Sequence, residues 1–167
     1  KNYSNLRLTR TVDLRGVTQA QLQFAAYADI ELGYDFGYVS VSTDGGTTWQ
    51  GLTTRNMQGL EAVHDPANAA YTERFYTGRN QGWLQETADL TPFAGQEILL
   101  RFEYVTDLAL NYGGFAIDNV AIPEIGFYDD AESLDEGWLA EGFVRATGLL
   151  PQRWHLLLVT FPNGVPT

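Results

Sequence analysis

Residues 97–105, Glu97-Ile-Leu-Leu-Arg-Phe-Glu-Tyr-Val105, decide the fold class. The apolar side chains at positions 98, 100, 102 and 104 alternate with a set that includes Arg101 and Glu103. A period of two places successive side chains on opposite faces of a β-strand, so one face of this stretch is apolar. The stretch therefore predicts a strand with one face on a hydrophobic core.

The same alternation recurs along the chain. No segment shows an apolar helical stripe with capping residues, and Gly-rich and Asp-rich turns separate the alternating segments. About nine short strands with such turns are typical of an all-β fold, an antiparallel β-sandwich or jelly roll. The other predicted strands cover residues 6–12, 20–28, 37–42, 47–52, 83–89, 114–122, 139–146 and 153–161.

Two interruptions divide this pattern. Residues 55–81 show no sustained period, and a loop of this length in a compact domain is usually functional or mobile. Pro123 follows the strand predicted at 114–122, and a new segment starts behind it. We therefore expect a jelly-roll sandwich over 1–123 and a C-terminal β extension over 124–167 that packs on it, since two or three strands cannot form a core alone.

The composition restricts the partners of the chain. Its 21 acidic and 10 basic residues give a formal charge of −11, which repels nucleic acid and favours divalent cations. The longest apolar stretch is far shorter than the ~20 residues of a membrane helix, so no membrane partner is expected. The absence of cysteine excludes a disulfide scaffold and thiol catalysis but leaves secretion open. With no initiator Met and no leader core, the chain reads as an excised or trimmed piece.

The segment Ser42-Thr-Asp-Gly-Gly-Thr-Thr-Trp49 matches the Asp-box pattern Ser-x-Asp-x-Gly-x-Thr-Trp at every specified position. Asp44 can accept hydrogen bonds from turn amides, and the two glycines behind it tolerate positive φ. Asp-boxes recur in sialidase-type propellers, but a propeller needs several copies and about four strands per blade. A structural hairpin, in which residues 39–42 pair with 47–51, is therefore favoured over a glycosidase.

Acidic residues near three predicted strands form a candidate metal site. Two acidic loops directly follow strands 20–28 and 97–105, and loops at one end of a sandwich offer oxygen ligands of the kind that Ca²⁺ prefers. Ordinary solvated turn carboxylates are the alternative. The candidate calcium ligands are Asp29, Glu31 and Asp35 in the first loop, Asp107 in the second, and Asp118 in strand 114–122, with Asp129, Asp130 or Glu132 as further neighbours.

Catalytic patterns are poorly represented. The two histidines, His64 and His155, lack the His-Glu-x-x-His spacing of zincins. There is no Gly-x-Ser-x-Gly elbow, and pairs of carboxylates occur in any acidic protein. The sequence therefore predicts no enzyme activity in this chain. The tryptophans can form a sugar-binding platform or, as is more common, fill the core; they are Trp49, Trp83, Trp138 and Trp154.

Two motifs, Leu100-Arg-Phe-Glu-Tyr-Val-Thr-Asp107 and Gly114-Phe-Ala-Ile-Asp-Asn-Val120, carry a family resemblance together with residues 8–14, 28–46 and 89–95. In this order they resemble the β-sandwich region that follows the catalytic domain in immune inhibitor A-type metalloproteases of bacteria. The tail over 129–153 also resembles sequence found after this module. The likeness covers nearly the whole chain.

The resemblance implies a jelly roll similar to MAM and carbohydrate-binding domains, in which an Asp at the position of Asp118 often helps to hold a structural calcium. It implies that the zinc-binding motif lies elsewhere in the parent protein. The chain is then a non-catalytic accessory domain of a secreted bacterial metallopeptidase, stabilising or targeting the parent enzyme. Its partners are the parent's catalytic domain and a protein substrate or glycan. A carbohydrate-binding module of an extracellular protein is the alternative, and a hydrolase site on the sandwich is the least favoured.

Overall fold

The computed structural model of the protein describes residues 3–64, 72–110, 112–132 and 137–146. Apart from three short 3₁₀ turns, all regular structure in these ranges is β-strand. No helix there is long and apolar enough to cross a membrane. The strands are β1 (Asn5–Asp13), β2 (Gln21–Asp29), β3 (Phe36–Ser42), β4 (Gln50–Gly51), β5 (Leu84–Asp89), β6 (Glu97–Val105), β7 (Gly114–Ile122), β8 (Phe127–Asp129) and β9 (Trp138–Glu141).

The strands form two antiparallel sheets that face each other. The first sheet has the order β4-β3-β6-β1-β9, and the second has the order β5-β2-β7-β8. Strand β6 lies in the middle of the first sheet, where its Phe102 is opposite both Leu8 and Val39. The prediction of an all-β antiparallel sandwich is confirmed.

The core lies between the two sheets and is filled by the alternating apolar side chains. Leu22, Phe24 and Ala26 of β2 are buried, whereas Gln21 and Gln23 on the other face are exposed. The Phe24 ring meets the Phe102 ring of the opposite sheet edge to face, with centroids 5.1 Å apart. The free energy gained by burying the apolar face of each strand holds the two sheets together.

The chain beyond Pro123 adds one strand to each sheet. β8 pairs with β7 opposite residues 120–122, and β9 pairs with β1 opposite residues 8–10. The sequence did not predict β8, because three residues are too short for an alternating pattern to stand out. The division into 1–123 and 124–167 stays a prediction, and the strand predicted at 153–161 lies outside the described residues.

Residues 52–64 and 72–81, together with β3 and β4, make what we call the closed side of the sandwich. Gly37 and Tyr76 exchange two backbone hydrogen bonds of 2.9 and 2.8 Å, and Gln58 and Phe75 exchange two of 2.7 and 3.1 Å. Under these loops a second apolar cluster, formed by Phe36, Tyr38 and Phe75, is completely buried. The loop predicted from the sequence is thus tied down where it is described; residues 65–71 lie outside the description.

Candidate functional site

The two predicted acidic loops lie together at one end of the sandwich, which we call the acidic end. The Asp29 carboxylate accepts a hydrogen bond of 3.0 Å from the Gly113 amide, and the Glu31 carboxylate accepts one of 3.3 Å from the Leu110 amide. Both donors belong to the loop that follows β6, and both acceptors follow β2. The structure therefore brings the two loops into direct contact.

Asp35 is the most deeply placed of the candidate ligands, with none of its surface exposed. Its carboxylate accepts hydrogen bonds from the Tyr104 hydroxyl at 2.9 Å and from the Asp107 amide at 3.1 Å. Burial raises the pKa of the Asp35 carboxyl, and these two hydrogen bonds oppose the rise without cancelling it. The pKa of the Tyr104 hydroxyl is raised as well, by burial first and then by the Asp35 charge.

The other carboxylates of the acidic end are already engaged by the protein. Asp29 forms an ion pair of 2.6 Å with Arg79, whose guanidinium lies 4.0 Å above the centre of the Tyr112 ring. Asp107 accepts a hydrogen bond of 2.8 Å from the Ala109 amide, two residues further along. This arrangement resembles a set of carboxylate-capped loops more than an open cluster of oxygen ligands.

Asp118, the ligand implied by the family resemblance, lies apart from that group. It is opposite Ala25 in the middle of β7, whereas Asp29 is opposite Gly114, about 13 Å earlier along the strand. Its carboxylate accepts a 2.7 Å hydrogen bond from the next amide, that of Asn119. Within the described ranges no three His, Asp or Glu side chains are close enough to hold a metal ion. Calcium at Asp118 and calcium at the acidic end both stay predictions.

The predicted hairpin after β3 is confirmed in its pairing, with Ser40 opposite Gly51 and Val41 opposite Gln50. The strand predicted from residue 47 was wrong for its first three residues, which belong to the turn. Their conformation is fixed by Asp44, which accepts hydrogen bonds from both the amide and the hydroxyl of Thr48 at 2.9 and 2.7 Å.

The Asp44 carboxylate serves the turn itself. The Thr48 hydroxyl, the Thr48 amide and the Ser42 hydroxyl, in that order of importance, lower the pKa of Asp44 to about 2. The indole of Trp49 donates a hydrogen bond of 3.0 Å to the Gly46 carbonyl, and the Arg101 guanidinium lies 3.6 Å above its ring. The side chains of the motif's specified polar positions thus have partners inside the hairpin or on the neighbouring strand.

The tryptophans divide between interior and surface. Trp138 packs partly buried against the core, but Trp83 keeps 50 % of its surface exposed, so the expectation that the tryptophans fill the core is wrong for Trp83. The Trp83 ring is 5.8 Å from the Tyr27 ring on the outer face of the second sheet. Trp154 and His155 lie outside the described residues. His64 is exposed and packs edge to face on Tyr34.

Asp129 is a structural carboxylate that sequence reasoning mentioned only as a neighbour of Asp118. It is 7 % exposed and accepts hydrogen bonds of 2.8 Å from the Ala131 amide and from the Trp138 indole. Arg145 lies 3.5 Å from the same carboxylate oxygen as the indole. Asp129 therefore joins β8 to β9 and to the chain that follows. The combination of an Asp pair with a Trp nine residues later was the only signal for it.

A cleft of about 780 Å³ opens between the two sheets on the side opposite the closed one. Its walls come from β1 and β9 of the first sheet and from β7 and β8 of the second. We call this the open side of the sandwich. Its lining is mainly apolar and includes Leu6, Leu8, Ile117, Trp138 and Phe143, with carboxylates at the rim.

Comparison with known proteins gives a consistent result. A sequence model of the family described as "Immune inhibitor A-like, MAM domain" matches residues 2–148. Immune inhibitor A of Bacillus thuringiensis subsp. alesti is 32% identical over 144 residues, which is 84% of this chain and 19% of that protein. The pre-pro-metalloprotease PrtV of Vibrio cholerae is 28% identical over 155 residues, which is 91% of this chain and 16% of PrtV. The chain thus spans less than a fifth of the length of these relatives.

Proposed function

Because the chain belongs to the immune inhibitor A-like MAM domain family, we propose that it is a non-catalytic accessory domain of a secreted bacterial metallopeptidase. The resemblance predicted from the sequence is confirmed at the level of the family, and the matched unit is the MAM domain rather than a catalytic one. The observation that carries the proposal is the match over 2–148, combined with relatives about five times longer, one of them named a pre-pro-metalloprotease. Secretion of the parent is part of the proposal.

Two features support a role in stabilising or targeting the parent enzyme. The closed side stabilises the folded domain, since three aromatic side chains are completely buried there. The open side offers an apolar cleft with an acidic rim, which is the kind of surface that binds another polypeptide. The catalytic domain of the parent and protein substrates are therefore the proposed partners.

The test compares the parent enzyme with a version that lacks this domain. We expect both to cleave a short chromogenic peptide at a similar rate per folded molecule. We expect the version without the domain to digest casein more slowly or to unfold at a lower temperature, because it has lost a docking or stabilising surface. Unchanged protein digestion together with unchanged thermal stability contradicts the proposal, as does casein cleavage by the isolated 167-residue chain with added zinc.

A carbohydrate-binding module is the second candidate, and the exposure of Trp83 favours it. Trp83 and Tyr27 lie side by side on a sheet face that also carries the exposed polar side chains of Gln85 and Thr87. Aromatic rings beside polar groups stack on sugars and bond their hydroxyls. The test is binding of the chain to insoluble polysaccharides. This candidate is favoured over a protein partner if Trp83→Ala loses the binding and Tyr128→Ala, a control at another exposed ring, keeps it.

A further inference from the structure

The cleft on the open side is bounded by the edge of a strand. Six consecutive residues, 113–118, line it. Successive side chains of a strand point to opposite faces, so one face alone can contribute only every second residue. A cavity that touches all six must therefore run along the edge of the strand. That edge is the N-terminal half of β7.

Within the described ranges this edge is left unpaired because β8 is short. β8 pairs with β7 only opposite residues 120–122, and β2 occupies the other edge of β7. Asn119, at the point where pairing stops, has a φ of 51° and accepts a 2.6 Å hydrogen bond from the Tyr128 hydroxyl of β8. Among the residues that the structure describes, none pairs with residues 114–119 on the cleft side. Unpaired strand edges are templates for a further strand.

The walls of the cleft are apolar side chains that the fold has not fully covered. Leu6 and Leu8 point into the sandwich from β1 but are only half-buried, whereas Val12 on the same face is 3 % exposed. Ile117 of β7 is half-buried in the same way. One more strand beside β7 would bury these side chains, at roughly 25 cal/mol for each Å² of apolar surface removed from water.

The rim of the cleft is acidic. Asp118, Asp130 and Glu132 lie along it, and the basic group among the described lining residues, Arg145, is next to the Asp129 carboxylate. The whole chain carries a charge of −11, so the field around the cleft attracts cations. A partner with basic side chains near the rim is therefore favoured over an acidic one.

We propose that an extended, basic segment of a protein substrate binds here as an added β-strand along residues 113–118 of β7. Alternate apolar side chains of the segment would contact Leu8 and Ile117, while its Lys or Arg side chains meet the rim carboxylates. Strand addition draws its affinity from main-chain hydrogen bonds, so it tolerates many sequences, as a peptidase acting on varied proteins requires. The inference rests on the proposed accessory role and names the class of ligand.

The test uses the full 167-residue chain and a fluorescent octapeptide, Lys-Val-Thr-Val-Thr-Val-Thr-Lys. We expect saturable binding in fluorescence anisotropy. Two control peptides carry N-methyl groups on alternate amides, one in each register, and keep the same side chains and charge. At least one of them should bind about tenfold more weakly or worse, because it cannot complete the main-chain ladder. Equal binding of all three peptides overturns the proposal.

Variants locate the peptide on the chain. The double variant Asp118→Asn and Asp130→Asn should weaken binding about threefold to tenfold, the range for two exposed charge pairs, and should reduce its dependence on salt. Glu73→Gln, which removes one negative charge at an exposed position outside the cleft, should change neither.

Amide shifts in NMR spectra should concentrate at residues 113–118 when peptide is added. Shifts confined to another surface, or an affinity that the double variant leaves unchanged, contradict the proposal. Displacement of the peptide by an oligosaccharide at the same edge would also overturn it. Because these measurements need no parent enzyme, their failure leaves the test of the accessory role intact.

Discussion

The closed and open sides of the sandwich are built from the same two sheets but are finished differently. On the closed side, residues 52–64 and 72–81 cover β3, and the rings of Phe36, Tyr38 and Phe75 have no exposed surface. On the open side, β8 and β9 are three and four residues long and leave Leu8 and Ile117 only partly buried around a cleft. The first side is completed by the chain itself, and the second is left incomplete by the residues that the structure describes.

The two sides differ in what they contribute to folding stability and to partner binding. Complete burial of large side chains supplies free energy of folding, and loops that bury aromatic rings are costly to move. Partly exposed apolar side chains beside an unpaired strand edge gain free energy only when something else covers them. We therefore assign stability mainly to the closed side and partner binding to the open side.

The largest expected effect breaks the closed side. Phe75→Ala removes a buried ring that lies 4.7 Å from Phe36 and should lower the free energy of unfolding by about 3–5 kcal/mol. Leu8→Ala on the open side should cost less than half as much, because Leu8 is smaller than Phe75 and only partly buried. Urea unfolding of both variants checks this. Equal losses would remove the proposed difference between the sides.

The next effect concerns the link within the open side. Asp129→Ala leaves the Trp138 indole and the Ala131 amide without their acceptor and should cost about 2–3 kcal/mol, the range for hydrogen bonds to a charged group. Near-ultraviolet circular dichroism should report a changed Trp138 environment. Asp130→Ala, at the neighbouring position, is the matched control and should have a much smaller effect. Similar losses in both variants would contradict the role given to Asp129.

A gain of stability is expected at Glu86. This residue of β5 is 2 % exposed, and neither carboxylate oxygen has a hydrogen-bond partner in the described part of the chain. A buried polar group without a hydrogen-bond partner is destabilising, and an apolar side chain of similar size removes that cost. Glu86→Leu should therefore raise the free energy of unfolding by about 1–2 kcal/mol at pH 7. A loss in thermal or urea unfolding would indicate a partner for Glu86 in the folded protein.

The smallest effect is a change with pH at the acidic end. The pKa of Asp35 is raised above its ordinary value of 3.8, so the folded state favours the protonated carboxyl. Its contribution is fully present below pH 3.8 and is lost as the pH rises through the folded pKa. Relative to the parent, Asp35→Asn should therefore gain free energy of unfolding as the pH rises above 3.8. If the parent, but not the variant, is stabilised by millimolar calcium after chelator treatment, Asp35 is a calcium ligand instead.

Much of the fold could be predicted because alternation is a local signal. Eight of the nine predicted strands overlap strands of the structure, since a buried face imposes a period of two on the sequence. The missed strand, β8, has three residues and shows no period. The strand start predicted at residue 47 failed because Asp44 holds Thr48 in the turn, and the Asp-box itself carried that information.

The candidate site was less accessible to prediction. The contact of Asp29 and Glu31 with the loop after β6 could be expected, because both groups follow strand ends. The cleft could not, since it depends on β8 being shorter than β7. The burial of Asp129 could not either, because it requires the Trp138 indole to approach from another sheet.

Amide hydrogen exchange tests whether the N-terminal half of β7 has an open edge, as its pairing within the described residues implies. NMR-detected exchange of the full chain should show alternate amides between residues 114 and 118 exchanging rapidly, because every second N–H faces the cleft. All amides in the middle of β6, which has a strand on each side, should exchange slowly. Uniform, slow exchange along both strands would mean that the edge is already covered, and would contradict the account.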